Sequence, residues 1–257
     1  MAAVGAEGET VIEGAACEPE VQATAGFLRA MGVAVEGDGT PVIRIEGRGR
    51  LDQGGGLGGG SFGIPPDRIE TGTYLLAGAI AGDKVTIEGC NPSENLALLD
   101  LLNRIGVSVE VGTSTMTVQG VESVAPVDIS MLPYPAFPTD LQGPLMALLC
   151  LGRGVSIITD KVFPDRFNHL SELRRFGARV RKEGPTAIIE GGAPLSGAKV
   201  MASDLRASAC LVLAGLVADG MTEVYRIYHL DRGYERMEEK LRKLGAEVER
   251  LSEKELE

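Results

Sequence analysis

The sequence predicts an α/β protein built from repeated units, in which buried helices pack together and sheets lie outside them. Four segments share one order of features: a short β-rich strand, a polar loop, an amphipathic helix, a glycine and a further strand. A second kind of helix, apolar on nearly every face, precedes three of these segments. Such a helix must be buried, because no face of it suits water. The predicted unit is therefore strand, buried helix, strand, amphipathic helix, strand, strand.

The repeat is visible when the four segments are aligned. They are TVIEGAACEPEVQATAGFLRAMGVAVEG from Thr10, KVTIEGCNPSENLALLDLLNRIGVSVEV from Lys84, GVSIITDKVFPDRFNHLSELRRFGARVRK from Gly154 and TEVYRIYHLDRGYERMEEKLRKLGAEVER from Thr222. The amphipathic helices end at Gly32, Gly106, Gly177 and Gly245. Glycine adopts positive φ at the lowest cost, so it suits a helix that turns sharply into a strand.

The buried helices are predicted in PDRIETGTYLLAGAIAGD, PTDLQGPLMALLCLGRG and SDLRASACLVLAGLVADG. Thr139 and Gln142 have the spacing of a T-x-x-Q capping box, and Asp67 with Glu70 resembles one. We therefore expect these side chains to satisfy the first backbone N–H groups of their helices.

The repeat pattern is incomplete at both ends of the sequence, which predicts two domains. We expect residues 1–51 to be the truncated last unit of a first, N-terminal domain, because they lack a buried helix. Residues 52–63 are predicted to be a glycine-rich linker, since a glycine tract is flexible. Residues 64–257 are expected to form a second domain of three units whose closing strand is missing. A phosphate-binding loop is the alternative for the glycine run, although it lacks the Lys-Ser/Thr end of a P-loop.

Composition argues against several classes of function. The formal net charge of -11 disfavours general nucleic-acid binding and attachment to an anionic membrane surface. No apolar run is long enough to span a membrane, and MAAVGAEGET does not resemble a signal peptide. The cysteines lack CxxC spacing, which predicts a reduced, cytoplasmic protein. Cys150 and Cys210 lie in apolar runs, so we expect them to be thiols buried in the core.

Four ordered motifs resemble the UDP-N-acetylglucosamine enolpyruvyl transferase family. They are PDRIETGT (Pro66–Thr73), PAFPTDLQ (Pro135–Gln142), ASDLRASACLVLAGL (Ala202–Leu216) and RIYHLDRGYER (Arg226–Arg236). The resemblance extends from about Glu9 to Arg250 and corresponds to the C-terminal part of a typical member. It implies the inside-out α/β barrel of enolpyruvyl transferases, built from repeated βαβαββ units with buried helices. The related shikimate-pathway enzyme shares the fold but is not similar at RIYHLDRGYER.

The resemblance implies an enzyme of peptidoglycan synthesis. The family transfers the enolpyruvyl group of phosphoenolpyruvate to the 3-hydroxyl of UDP-N-acetylglucosamine and releases phosphate. Both substrates are therefore the expected partners, and no metal or organic cofactor is implied. The family's proton-donating cysteine loop and N-terminal Lys-Asn pair have no match among these residues. We therefore expect the isolated chain to be inactive, with only part of the active site.

Asp140 and Val162 match family positions that contact the sugar nucleotide. Asp140 corresponds to the aspartate that contacts the sugar hydroxyl and is proposed as the base. From the residues alone, a place in the capping box is the simpler interpretation of Asp140. The backbone at Val162 is expected to contact the UDP-sugar, and Arg166 in the same loop to bind substrate. Pro164-Asp165 replaces the family's Glu-Asn in this loop.

Arg232 matches the arginine that holds phosphoenolpyruvate, and a planar guanidinium suits phosphate or carboxylate. Asp231, His229 and Tyr234 are expected to orient it. From the residues alone, a surface ion-pair cluster explains the same run.

Asp204 and Arg206 begin a helix, where backbone N–H groups favour anions, and the resemblance places both near the reacting groups.

Three alternatives stay open from the sequence. The chain could be a non-catalytic truncated or diverged member. It could instead be one half of a split enzyme, whose partner is a complementary N-terminal polypeptide docked on an unpaired sheet edge. The shikimate enzyme is the third alternative, and shikimate 3-phosphate would test it.

Overall fold

The computed structural model describes residues 1–49 and 56–251, so the first part of the glycine-rich run lies outside the described residues. The chain divides into two compact units, Met1–Pro66 with Pro133–Ala136, and Asp67–Leu132 with Phe137–Glu257. Their assignment to two domains of a longer protein stays a prediction.

The described residues form helices and strands in the alternating order that the repeats predict. The helices are α1 Pro19–Ala30, α2 Arg68–Ala81, α3 Leu96–Arg104, α4 Gln142–Cys150, α5 His169–Arg175, α6 Leu205–Gly215 and α7 Met237–Lys243. The strands are β1 Glu7–Glu13, β2 Val35–Glu36, β3 Val42–Arg48, β4 Lys84–Glu88, β5 Val109–Val111, β6 Thr115–Gln119, β7 Asp128–Met131, β8 Val155–Asp160, β9 Arg179–Glu183, β10 Thr186–Glu190, β11 Lys199–Met201 and β12 Glu223–Tyr225. Short 3-10 helices cover Ala2–Gly5, Pro92–Asn95, Thr139–Leu141 and Ile227–Arg232.

The smaller unit is an antiparallel sheet in the order β1-β3-β2, together with α1. Val11 and Ile12 point to opposite faces of β1, yet they are 41% and 43% exposed, so neither face of this strand is well covered. The core of the unit is correspondingly small and consists of Val4, Ala25, Leu28, Val33, Val35, Ile43 and Ile45.

The centre of the larger unit is formed by α2, α4 and α6, which pack against one another. Nearly every residue of α2 and every residue of α4 is buried, as their apolar sequences predict. Gly143 allows α4 and α6 to approach closely, because a Cβ atom there would lie 3.1 Å from the Cβ atom of Cys210. Burial of the apolar side chains of these three helices stabilises the unit, by about 25 cal/mol per Å² of apolar surface removed from water.

Each buried helix packs on a sheet, with α2 on β4 and β6, α4 on β10, and α6 on β12. The sheets have the orders β4-β6-β5, β7-β8-β10-β9 and β11-β12. Because α4 and α6 cross over between their flanking strands, β7 pairs parallel with β8 and β11 pairs parallel with β12. The segment from β7 to β10 is a complete βαβαββ unit in the predicted order.

The four predicted helix-ending glycines all have positive φ, between 87° and 99°, as the sharp turn requires. Strands β2, β5 and β9 follow the first three and pair with β3, β6 and β10. The strand predicted after Gly245 is wrong for the described residues, which form no strand between Ala246 and Leu251. A strand needs a pairing partner for its backbone groups, and no later strand is described.

No helix within residues 1–49 and 56–251 combines the length and apolarity needed to cross a membrane.

Candidate active site

Asp140 lies where the chain enters α4, as the central residue of the 3-10 turn Thr139–Leu141. The predicted capping box at this helix is wrong. Thr139 Oγ1 donates to Asp160 Oδ2 at 2.5 Å, and Gln142 Nε2 donates to the same oxygen at 3.4 Å. Asp160 is fully buried, so its carboxylate needs these two donors. Thr139 and Gln142 therefore bond to Asp160 and do not cap the N-terminus of α4.

Two arginines hold the carboxylate of Asp140. Arg166 Nη1 lies 2.7 Å from Asp140 Oδ1, and Arg206 Nε lies 3.2 Å from the same oxygen. The Asp140 side chain is 30% exposed, and Oδ2 receives no hydrogen bond from any described residue. The second oxygen is therefore open to a ligand beside two cations. Sequence reasoning found these three residues, but not that they touch one another.

Arg206 is fixed in turn by Tyr234. Its Nη1 donates to the Tyr234 hydroxyl at 3.2 Å, and Tyr234 is only 1% exposed. The hydroxyl also lies 2.8 Å from Thr73 Oγ1, which donates its own proton to the carbonyl of Ile69. Tyr234 must therefore donate to Thr73 and accept from Arg206. Burial raises the pKa of the Tyr234 phenol, so this donor keeps its proton at neutral pH.

The loop after β8 positions Arg166. Its guanidinium carbon lies 4.2 Å from the centre of the Phe163 ring, within cation–π range. Its Nη1 also donates to Thr139 Oγ1 at 3.3 Å. The N–H groups of Val162 and Phe163 donate to Asp160 Oδ1 at 2.9 and 2.7 Å. The Val162 N–H is thus already occupied, which leaves its carbonyl for a backbone contact with a ligand.

Asp204 caps α6 through Oδ1, which accepts from the N–H groups of Arg206 and Ala207 at 3.0 and 2.9 Å. Ser203 Oγ donates to its other oxygen at 2.9 Å. Desolvation acts to raise the pKa of Asp204, but these three hydrogen bonds outweigh it and leave the pKa below its ordinary value. Asp204 is therefore charged at neutral pH and lies two residues from Arg206.

Asp67 caps α2 in the same way, accepting from the N–H groups of Ile69 and Glu70. The second bond of the expected capping box, from the start of the helix to the Glu70 side chain, is not formed among the described residues. The Glu70 side chain accepts from Lys240 Nζ at 2.6 Å instead.

Arg232 ends the 3-10 helix Ile227–Arg232 and is exposed. The expectation that Asp231, His229 and Tyr234 orient it is wrong. Asp231 forms a two-pronged ion pair with Arg250 at 2.6 and 2.8 Å, His229 stacks on Tyr228, and Tyr234 serves Arg206. The Arg232 guanidinium forms no hydrogen bond or ion pair with any described residue. Charged side chains in this run do form surface ion pairs, as the alternative interpretation predicted.

Comparison with known proteins identifies the family. A sequence model of EPSP synthase (3-phosphoshikimate 1-carboxyvinyltransferase) matches residues 1–241. The chain belongs to the EPSP synthase family. The enolpyruvyl transferase NikO from Streptomyces tendae superposes with a TM-score of 0.84 at 30% identity, covering 96% of this chain and 57% of that one. The predicted enolpyruvyl transferase fold is thereby confirmed.

Within the EPSP synthase family, this chain is similar to curated UDP-N-acetylglucosamine 1-carboxyvinyltransferases. The protein of Desulfosudis oleivorans (strain DSM 6200 / JCM 39069 / Hxd3) is 49% identical over 252 residues, and that of Anaeromyxobacter sp. (strain K) is 51% identical over 251 residues. Each alignment covers 98% of this chain, which spans only 59% and 58% of the length of these relatives. The resemblance drawn from the four motifs is confirmed.

Three of the four cysteines of this EPSP synthase family chain lie in the core, whereas Cys17 is partly exposed. Cys90, Cys150 and Cys210 are buried and unbridged. Burial raises the pKa of the Cys150 thiol to about 12, and also raises the pKa of Cys210. The prediction of core thiols at 150 and 210 is therefore correct. No group of three or more His, Cys, Asp or Glu side chains within the described residues is arranged to hold a metal ion.

Proposed function

We propose that this chain carries the Asp140 side of an active site that transfers the enolpyruvyl group from phosphoenolpyruvate to the 3-hydroxyl of UDP-N-acetylglucosamine. The observation that carries the proposal is the Asp140 carboxylate, with one oxygen held by Arg166 and Arg206 and the other open. The names and similarity of the curated relatives support the choice of substrates.

The reaction adds the sugar O–H across the enol double bond. The sugar oxygen bonds to C2 of phosphoenolpyruvate, a proton reaches C3, and loss of phosphate together with a proton then restores the double bond. In this proposal Asp140 Oδ2 accepts a hydrogen bond from the 3-hydroxyl and takes its proton as the oxygen attacks. Fixing Oδ1 with two cations orients the carboxylate before the ligand arrives, which reduces the ordering needed in the transition state.

The cations are proposed to bind the anionic groups. Arg206 and Arg166 keep positive charge beside the reacting oxygen, where phosphate and carboxylate must be stabilised. Arg232, with its exposed guanidinium, is proposed to bind phosphoenolpyruvate as a planar fork. Asp204 stays charged close to Arg206 and is proposed to act near the reacting groups. The carbonyl of Val162 is proposed to accept a hydrogen bond from the UDP-sugar.

Amide NMR of the isotope-labelled chain tests the proposal, because it detects weak binding. UDP-N-acetylglucosamine should shift the signals of Asp140, Val162 and Arg206, and Asp140→Asn should abolish these shifts. Asp100→Asn is the matched control, since it makes the same chemical change at a 70% exposed carboxylate paired with Arg104.

Shikimate 3-phosphate should leave these signals in place. Equal or larger shifts from shikimate 3-phosphate would instead favour the function for which the family model is named. Shifts from neither compound would contradict the proposed site on this chain.

A further inference from the structure

A buried carboxylate underlies the candidate site without facing it. Asp160 is the last residue of β8 and is 0% exposed. It accepts four hydrogen bonds, two on each oxygen: from the N–H groups of Val162 and Phe163, and from the side chains of Thr139 and Gln142. No cation among the described residues forms an ion pair with it. These four donors must offset the cost of burying its charge.

Two of the four donors to Asp160 lie at or beside residues of the proposed site. Thr139 directly precedes Asp140, and Val162 carries the proposed backbone contact. One carboxylate therefore connects the start of α4 to the loop after β8, and both elements hold residues of the site.

Thr139 relays this connection to Arg166. Because a carboxylate only accepts hydrogen bonds, Asp160 fixes the Thr139 proton toward itself. The lone pairs of Thr139 Oγ1 then face away from Asp160, and one accepts from Arg166 Nη1 at 3.3 Å. The same nitrogen lies 2.7 Å from Asp140 Oδ1. A directed chain thus runs from Arg166 through Thr139 to Asp160.

We propose that Asp160 is a positioning residue of the site, which holds Arg166 and the Val162 loop in the arrangement that the sugar nucleotide requires. This inference rests on the proposed function. An amide in place of the carboxylate could still accept from the two backbone N–H groups. Its NH₂ group would face Gln142 Nε2, a second donor, and would release the Thr139 proton from its fixed direction.

The test is Asp160→Asn, with Asp165→Asn as the matched control. Both variants replace one aspartate by asparagine, at the end of β8 or in the loop that follows it. The Asp165 side chain, however, is fully exposed and paired with Lys182. The first readout needs no ligand: the guanidinium N–H signals of Arg166 in arginine side-chain NMR. We expect a sharp, slowly exchanging Arg166 signal in the wild type and in Asp165→Asn, and its broadening in Asp160→Asn.

The second readout is the affinity for UDP-N-acetylglucosamine. We expect Asp160→Asn to weaken it about tenfold, equivalent to about 1.4 kcal/mol, while Asp165→Asn leaves it within about twofold. A folded Asp160→Asn variant with an unchanged Arg166 signal would overturn the inference. So would loss of the Arg166 signal with wild-type affinity, since the ordering would then serve no ligand.

Thr139 provides a route if Asp160→Asn fails to fold. Thr139→Val removes the relay and one of the four donors of Asp160, and it leaves the other three in place. The Arg166 signal should therefore broaden. Thr139→Ser restores the hydroxyl and should restore the signal, which a purely structural role of the side chain would not require. A wild-type chain that binds no sugar nucleotide would contradict the proposed function, while the Arg166 signals would still decide whether Asp160 orders this arginine.

Discussion

Tyr234→Phe should destabilise the larger unit, because it removes one hydroxyl that connects two buried helices. The hydroxyl donates to Thr73 of α2 and accepts from Arg206 of α6. The neutral bond to Thr73 contributes about 1 kcal/mol. The bond from the charged Arg206 is long, at 3.2 Å, so we assign it about 1.5 kcal/mol, the lower end of the range for hydrogen bonds to charged groups. Thr73 keeps its bond to Ile69, and Arg206, at 19% exposed, can recruit water, so no buried group is orphaned. The two losses together predict a decrease of about 2.5 kcal/mol in the free energy of unfolding.

Urea unfolding followed by circular dichroism measures this loss. With a slope of about 3 kcal/mol per molar urea, the midpoint should fall by about 0.8 M at constant slope. Tyr74→Phe is the matched control, because the buried Tyr74 hydroxyl has no hydrogen-bond partner among the described residues. Removing that hydroxyl should leave the midpoint unchanged or raise it. Equal decreases in both variants would refute the reasoning, since the effect would then come from loss of a buried oxygen and not of its bonds.

Three further predictions concern pH, thiols and local stability. Burial lowers the pKa of His169 to about 4 from 6.5, so between these values the unfolded chain binds a proton that the folded chain does not. Stability should therefore fall by about 3 kcal/mol as the pH drops through this window, and urea unfolding of His169→Leu should lack that component. Cys150 and Cys210 should resist iodoacetamide at pH 8 in the folded chain while the partly exposed Cys17 reacts, as mass spectrometry of labelled peptides would show. Amides in Thr10–Gly47 should exchange with deuterium faster than those of the buried helices, because that unit has a small core; equal protection would contradict this.

The helices and most strands could be predicted from the sequence because local physics determines them. Apolar residues on every face require burial, and glycines such as Gly106 and Gly177 end their helices at positive φ. The strand expected after Gly245 shows the limit of this reasoning. Strand formation depends on a neighbouring strand, which a local sequence pattern does not supply.

The site was predictable as a set of residues but not as a network. Asp140 and Arg206 lie in motifs, whereas the partners that fix them are set by tertiary contacts. Thr139 has the spacing of a capping residue, but a buried acceptor contributed by β8 redirects it. Tyr234 lies two residues from Arg232 in the same motif, yet its hydroxyl bonds to Thr73, 161 positions away in the sequence. Local and distant hydrogen-bonding groups compete for such side chains, and the distant groups come close only when the chain folds.

The residues of the candidate site and their partners come from three repeats, and this explains how a repeated fold acquires an asymmetric site. Thr73, Asp140 and Arg206 lie in or beside the early turns of α2, α4 and α6, and their contacts bring these helix beginnings together. Helix N-termini carry partial positive charge, so together with the two arginines they favour anionic ligands. At α2 and α6 an aspartate caps the helix, whereas at α4 Thr139 turns away to a buried carboxylate. That departure from the repeat places Asp140 between two cations with one oxygen open, so the residue proposed for the chemistry lies where the repeated pattern is broken.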